Sequence, residues 1–235
     1  MIKAVILDID GTLYDYKSGN KAALAALAGY AKEHFGWTQE EFMQRHQRAF
    51  DTMKARIGMG LAAVHNRMIR YQLILEQASL PLYPHALTMY NTYWDTLIRV
   101  SSPFPGEVQA VRALKEAGYT VGIGTNMTAH IQFRKLTSLG ILPYTDFVVS
   151  SEEACAEKPA AALFDLCVEK AGCSAGECAF VGDSLEGDAL GALRAGLVPY
   201  LFNPAGESVK IPEEHAADIT VFTEFSQLPG LIAGR

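Results

Sequence analysis

Blocks of apolar and polar positions follow one another along this chain, and their periods predict its elements. The first block, Ile2 to Leu7, is short, β-branched and nearly free of charge. Strands covered on both faces, as in parallel sheets, have this composition. From Tyr14 to Ser102 the period is helical throughout. Ala and Leu recur at helical spacing over Asn20 to Phe35 and stop before Gly36. Thr38, with Glu41 three residues later, predicts a capping box that opens a second helix. Leu61 to Ala78 and Pro84 to Val100 give two more helical patterns. Beyond Pro103, helices and strands alternate. Helices are predicted over Glu107–Ala117, Thr128–Leu139, Ala160–Ala171 and Asp188–Ala195, each closed by a glycine. Strands are predicted over Tyr119–Gly124, Asp146–Val149, Cys178–Val181 and Leu197–Phe202. Asn203 to His215 reads as a loop before a last strand, Ile219–Phe222, and a final helix.

Alternating helices and strands imply an α/β fold with a parallel, Rossmann-like sheet. A lone buried strand has no partner, so the first block must belong to that sheet. The expected organisation is a core split in sequence, residues 1–14 and 103–235, with an α-helical bundle, residues 15–102, inserted as a cap domain.

Composition narrows the function. At 235 residues, 49% hydrophobic and 20% charged, the chain reads as an ordinary soluble globular protein. A net charge of −6, with no basic run interleaved with aromatics, argues against a nucleic-acid polymer as partner. No uncharged stretch reaches membrane-spanning length, and Asp8 interrupts any apolar leader. Cys155, Cys167, Cys173 and Cys178 form no CxxC pair, which argues against zinc and points to reduced thiols in a cytoplasm. The oligomeric state, monomer or homodimer, is left open.

The predicted strand ends carry the chemistry. The first strand ends in Asp8-Ile9-Asp10-Gly11-Thr12, the second in Thr125-Asn126, and the fourth in Gly182-Asp183-Ser184 with Asp188 five residues after Asp183. Lys158-Pro159 precedes a helix. Each piece alone fits turn or capping chemistry. Together, at the carboxyl edge of one parallel sheet, they converge where α/β folds bind ligands. Clustered carboxylates repel, by roughly 4 kcal/mol per pair ~4 Å apart at an effective dielectric near 20. The cluster must therefore hold a cation or protonate in part. An oxygen-only donor set suits Mg²⁺. With Lys158 nearby, the same place suits a small phosphate group.

These four motifs, in this order, resemble the haloacid dehalogenase superfamily of phosphohydrolases with an inserted helical cap. The stretches DIDGTLYD, GTN, SEEACAEKP and GDSLEGDALGALRAGL are most similar to its nucleotidase-like branch. The resemblance implies that Asp8 is the nucleophile of an aspartyl-phosphate mechanism. It implies that Asp10 is the acid and base, with a pKa raised by anionic neighbours. Thr125 and Asn126 would bind the phosphoryl group, and Lys158 would neutralise charge. Asp8, Asp10 (through its carbonyl), Asp183 and Asp188 would serve Mg²⁺.

The expected activity is hydrolysis of a small phosphorylated metabolite, with a nucleoside 5′-monophosphate as the first substrate to test. A sugar-phosphate phosphatase, a phosphomutase, and a non-catalytic phosphate-binding regulatory protein are the other readings. Dehalogenases of the superfamily lack the second aspartate, so Asp10 favours phosphate chemistry. Substrate choice is expected in the cap, where Arg56, Arg67 or Arg70 could contact polar substrate groups. Most of the cap's aromatics are expected to pack the bundle.

Overall fold

The computed structural model describes all 235 residues. Strand β1 (Ala4–Leu7) is followed by four helices: α1 (Tyr16–Phe35), α2 (Gln39–Ile57), α3 (Arg67–Gln77) and α4 (His85–Val100). Next come α5 (Glu107–Glu116), β2 (Thr120–Thr125), α6 (Ala129–Leu139), β3 (Phe147–Ser150), α7 (Ser151–Ala154) and α8 (Ala161–Ala171). The chain closes with β4 (Cys178–Gly182), α9 (Gly191–Arg194), β5 (Val198–Phe202), β6 (Thr220–Phe222) and α10 (Leu228–Ala233). It divides into two compact units, Met1–Asp15 with Ser102–Arg235, and Tyr16–Ser101.

The first unit is a six-stranded parallel sheet in the order β3-β2-β1-β4-β5-β6. β1 lies at its centre, with Ile6 opposite Gly122 of β2 and Phe180 of β4. This explains its unbroken apolar run, since Ala4 to Leu7 are fully buried. On one face Ile6, Val149, Phe164, Cys167 and Phe180 form a single cluster. Phe164 meets Phe180 edge-on at 5.0 Å between ring centroids. The strand order reverses between β1 and β4, and the carboxyl ends there border the crevice of a switch point. β1 and β4 are therefore the strands whose ends matter chemically.

Glu107, in the first turn of α5, is fully buried, and neither carboxylate oxygen has a hydrogen-bond partner. Burial pushes its pKa up to about 8. Between the ordinary glutamate value and pH 8, the folded chain keeps a proton that the unfolded chain releases. Stability must therefore fall as pH rises through that window, by up to roughly 5 kcal/mol. Glu107→Gln is expected to gain several degrees of Tm over the parent at pH 8.5 and much less at pH 5. Equal gains at both pH values would show that the carboxyl does not titrate in this way.

The second unit is helical. α1 packs along α4, α2 on α3, and α3 on α4. Leu27, Phe42, Met53, Tyr71, Tyr93, Trp94 and Leu97 are buried within it. The capping box at Thr38 is present, with Glu41 N donating to Thr38 Oγ1 at 3.2 Å and Thr38 N donating to Glu41 Oε2 at 2.8 Å. The single helical pattern over Leu61–Ala78 is broken. Ala62–His65 forms one 3₁₀ turn, and α3 starts afresh after Asn66. The Asn66 side chain accepts from Met68 N and Ile69 N, satisfying amides that a continuous helix would have bonded to its preceding turn.

Candidate active site

β1 hands directly into the first motif. Asp8 N donates to Val181 O at 2.9 Å, continuing the pairing with β4 past the strand end. The Asp8 side chain is thereby fixed at the rim and is 6% exposed. The chain then turns at Gly11, whose φ is +93°. A Cβ on Gly11 would lie 2.4 Å from Asp183 Oδ2, so only bare backbone lets the two loops meet. Thr12 Oγ1 donates to Asp183 Oδ1 at 3.1 Å and ties them together.

Beyond β4, Ser184 caps the following turn, its hydroxyl accepting from Gly187 N at 3.0 Å. The helix predicted to open at Asp188 starts earlier, with a wide π-type turn over Leu185–Leu190. Ala189 N donates to Ser184 O at 3.1 Å across that turn. Asp188 therefore stands inside the helix and is 1% exposed. Its Oδ2 accepts from Ser184 N at 2.9 Å. A Cβ on Gly182 would come within 2.3 Å of Asp188 Cγ, so the absence of a side chain there admits the carboxylate.

Lys158 joins the two loops. Its Nζ lies 2.6 Å from Asp8 Oδ1 and 2.7 Å from Asp188 Oδ1, and donates to Gly124 O at 3.1 Å. Asn126 fixes the lysine's main chain, with Oδ1 accepting from Lys158 N at 2.8 Å and Nδ2 facing Lys158 O at 3.4 Å. The Asn126 side-chain amide thus positions Lys158. Thr125 is fully buried, and its hydroxyl accepts from Gln132 Nε2 at 2.7 Å.

Carboxylate oxygens of Asp8, Asp183 and Asp188 all lie within 4.8 Å of one another. With Lys158 alone among them, the group carries a net charge of −2 when all ionise. Burial raises the Asp8 pKa to about 7; Lys158 pulls it down, while Asp188 and Asp183 push it up. Asp183 is raised as well, by desolvation and then by Asp188. Each pair of like charges at ~4.8 Å repels by about 3.5 kcal/mol at an effective dielectric near 20. A hard divalent cation would relieve this repulsion, and three carboxylates are a donor set that fits Mg²⁺.

Asp10 corrects one expectation, that of a raised pKa. Its side chain is not among the clustered carboxylates. It points instead to Lys135 Nζ at 2.6 and 2.8 Å, to Gln132 Nε2 at 3.1 Å, and to the Tyr14 hydroxyl. Its neighbours are donors and a cation, not anions. Burial raises its pKa, but Lys135, Tyr14 and Gln132 outweigh that and hold the carboxyl below the usual range.

Gln132 and Lys135 were not singled out from sequence. Both lie on the buried stripe of α6 with Ile131, Leu136 and Leu139, at 0% and 2% exposure. Polar residues on the apolar side of an amphipathic helix were the available signal. One Gln132 amide reaches Asp10, Thr125 Oγ1 and, at 3.2 Å, Asn126 O, linking the first and second motifs. Gln132→Leu is expected to lower kcat by about 10²-fold with KM nearly constant, since misplacement of reacting groups acts on the transition state. A rise in KM at unchanged kcat would refute that role.

The geometry can be set beside known proteins. Residues 2–196 match the family described as haloacid dehalogenase-like hydrolase. A ribulose-1,5-bisphosphate 5-phosphatase of Halopiger xanaduensis is 36% identical over 210 residues, covering 88% of this chain and 87% of that protein. The pyrimidine 5′-nucleotidase YjjG of Escherichia coli is 33% identical over 114 residues, covering 48% of this chain and 50% of its own length. The crystal structure of a HAD phosphatase from Thermococcus onnurineus shares the fold, with a TM-score of 0.73, 23% identity, and coverage of 100% and 99% of the two chains. The chain belongs to the haloacid dehalogenase-like hydrolases and, within them, to the phosphatases that hydrolyse phosphoric monoesters.

Proposed function

We propose that the protein is a Mg²⁺-dependent phosphatase that acts through an aspartyl-phosphate on Asp8. The observation that carries this reading is the trio of carboxylates within 4.8 Å, bridged by one buried lysine. An Asp8 oxygen attacks phosphorus, the P–O bond to the substrate alcohol breaks, the leaving oxygen takes a proton from solvent, and the phosphoryl group moves to Asp8. Water then attacks that phosphorus and returns Asp8 as a carboxylate. Asp10, held as an anion by Lys135, is the base for that water. Lys158 holds Asp8 in place and balances the incoming phosphate charge. Asp8, Asp183 and Asp188 would hold Mg²⁺, which supplies neutralisation of phosphoryl charge. The helical unit is assigned the role of a cap that selects substrate.

The substrate class we favour is a small phosphorylated sugar. The similarity to the ribulose-1,5-bisphosphate 5-phosphatase extends over 88% of the chain, that to the nucleotidase over 48%. Nucleoside 5′-monophosphates are the second class, supported by that shorter match. Phosphate release from a panel of both, together with p-nitrophenyl phosphate, tests the reading with Mg²⁺ and with EDTA. Turnover is expected with Mg²⁺ only, and with sugar phosphates preferred. Absence of turnover on every ester would leave a phosphate-binding protein without catalysis, and a clear preference for nucleotides would reverse the substrate class.

A further inference from the structure

Two arginines in the helical unit are buried without a counter-charge. Arg67 and Arg70, one turn apart on α3, are 6% and 5% exposed. No carboxylate pairs with either. Arg67 donates to His65 O, Tyr16 Oη and Tyr93 Oη at 3.3–3.5 Å, and Arg70 donates to Val64 O at 3.4 Å. The acidic residues of this unit, Glu33, Glu40, Glu41, Asp51, Glu76 and Asp95, are all exposed. Arg67 lies over the Tyr93 ring at 5.1 Å and Arg70 over Phe50 at 4.3 Å. Those rings accommodate the faces of the guanidiniums. They do not serve the N–H groups, and Nε of both arginines has no hydrogen-bond partner.

The surroundings add donors and remove no charge. His46 Nε2 and Tyr71 Oη are also buried and unpartnered, and His46 stacks obliquely on Tyr71. Burial, then Arg70 and Arg67, push the His46 pKa down to about 3, so the imidazole is neutral. Burial and Arg67 push Arg70 down to about 10, which still leaves it charged at neutral pH. Two buried like charges with orphaned donors are costly unless an anion completes them. Guanidinium forks match the paired oxygens of phosphate and carboxylate groups.

We propose that Arg67 and Arg70, with His46 and Tyr71, form an oxyanion site in the helical unit that takes a phosphate or carboxylate group of a small metabolite. The group is either a second acidic group of the substrate or a separate anion. Only the first of these rests on the phosphatase reading given above.

The full-length enzyme tests the two sources separately. With Mg²⁺, a pentose 1,5-bisphosphate is compared with the matching 5-monophosphate. If the substrate supplies the anion, the bisphosphate is preferred at least tenfold in kcat/KM. That preference collapses in Arg67→Met and Arg70→Met through KM, and Arg70→Lys restores part of it. If a separate anion is bound, the preference is absent. Inorganic phosphate then raises the Tm of the parent by more than it raises that of the Arg67→Met/Arg70→Met double variant. The absence of both the preference and the variant-sensitive Tm rise would overturn the site. Failure to turn over p-nitrophenyl phosphate or either sugar ester would instead overturn the phosphatase mechanism, while the Tm comparison would still decide the anion site.

Discussion

Asp8→Asn is expected to lower kcat by ~10⁴-fold or more, about 5.5 kcal/mol of activation free energy, without lowering Tm. The amide keeps the size and position of the carboxylate but cannot attack phosphorus. The stability side follows from the same environment. Burial and the two neighbouring aspartates favour the uncharged form of Asp8, and Lys158 only partly opposes them. A neutral side chain at this position is therefore tolerated at least as well as the anion. Kinetics, thermal unfolding and a trapping assay for phosphorylated protein check the two halves together. Retained turnover would remove Asp8 from the nucleophile's role. Lost turnover accompanied by a large drop in Tm would show that the change acted through folding.

Lys158→Met has the opposite stability signature. The lysine is the cation that touches both Asp8 and Asp188, and it is 8% exposed. Its removal leaves buried carboxylates facing one another, a loss of roughly 3–5 kcal/mol for a broken buried pair. At this chain length that corresponds to a Tm decrease of about 10 °C. Mg²⁺ in excess is expected to recover part of the loss, because a cation held by the same carboxylates restores the missing charge. Turnover is expected to fall by about 10²–10³-fold even with Mg²⁺, the scale of removing one stabilising donor from a developing anion. If EDTA and Mg²⁺ give the same Tm for Lys158→Met, the carboxylates do not act as a cation site.

Period and punctuation in the sequence determined the alternation of elements, the split core and the strand ends where the motifs fall. A buried parallel strand, a capping box or a glycine stop is dictated by residues close in the chain. Asp8, Lys158, Asp183 and Asp188 were legible for that reason, since each follows or precedes such an element at fixed spacing. The break at Asn66 and the early helix start at Ser184 were not. Both depend on which of several polar side chains wins a competition for the same amides. The surroundings of Asp10 lay further out of reach: Lys135 is 125 positions away in sequence, and it meets the carboxylate only because α6 packs its polar-bearing stripe inward. Spacing along the chain tells which groups carry charge, whereas the packed fold decides which charges face one another. At this centre the sign of the Asp10 shift and the uncompensated pair at Arg67 and Arg70 were settled by three-dimensional proximity alone.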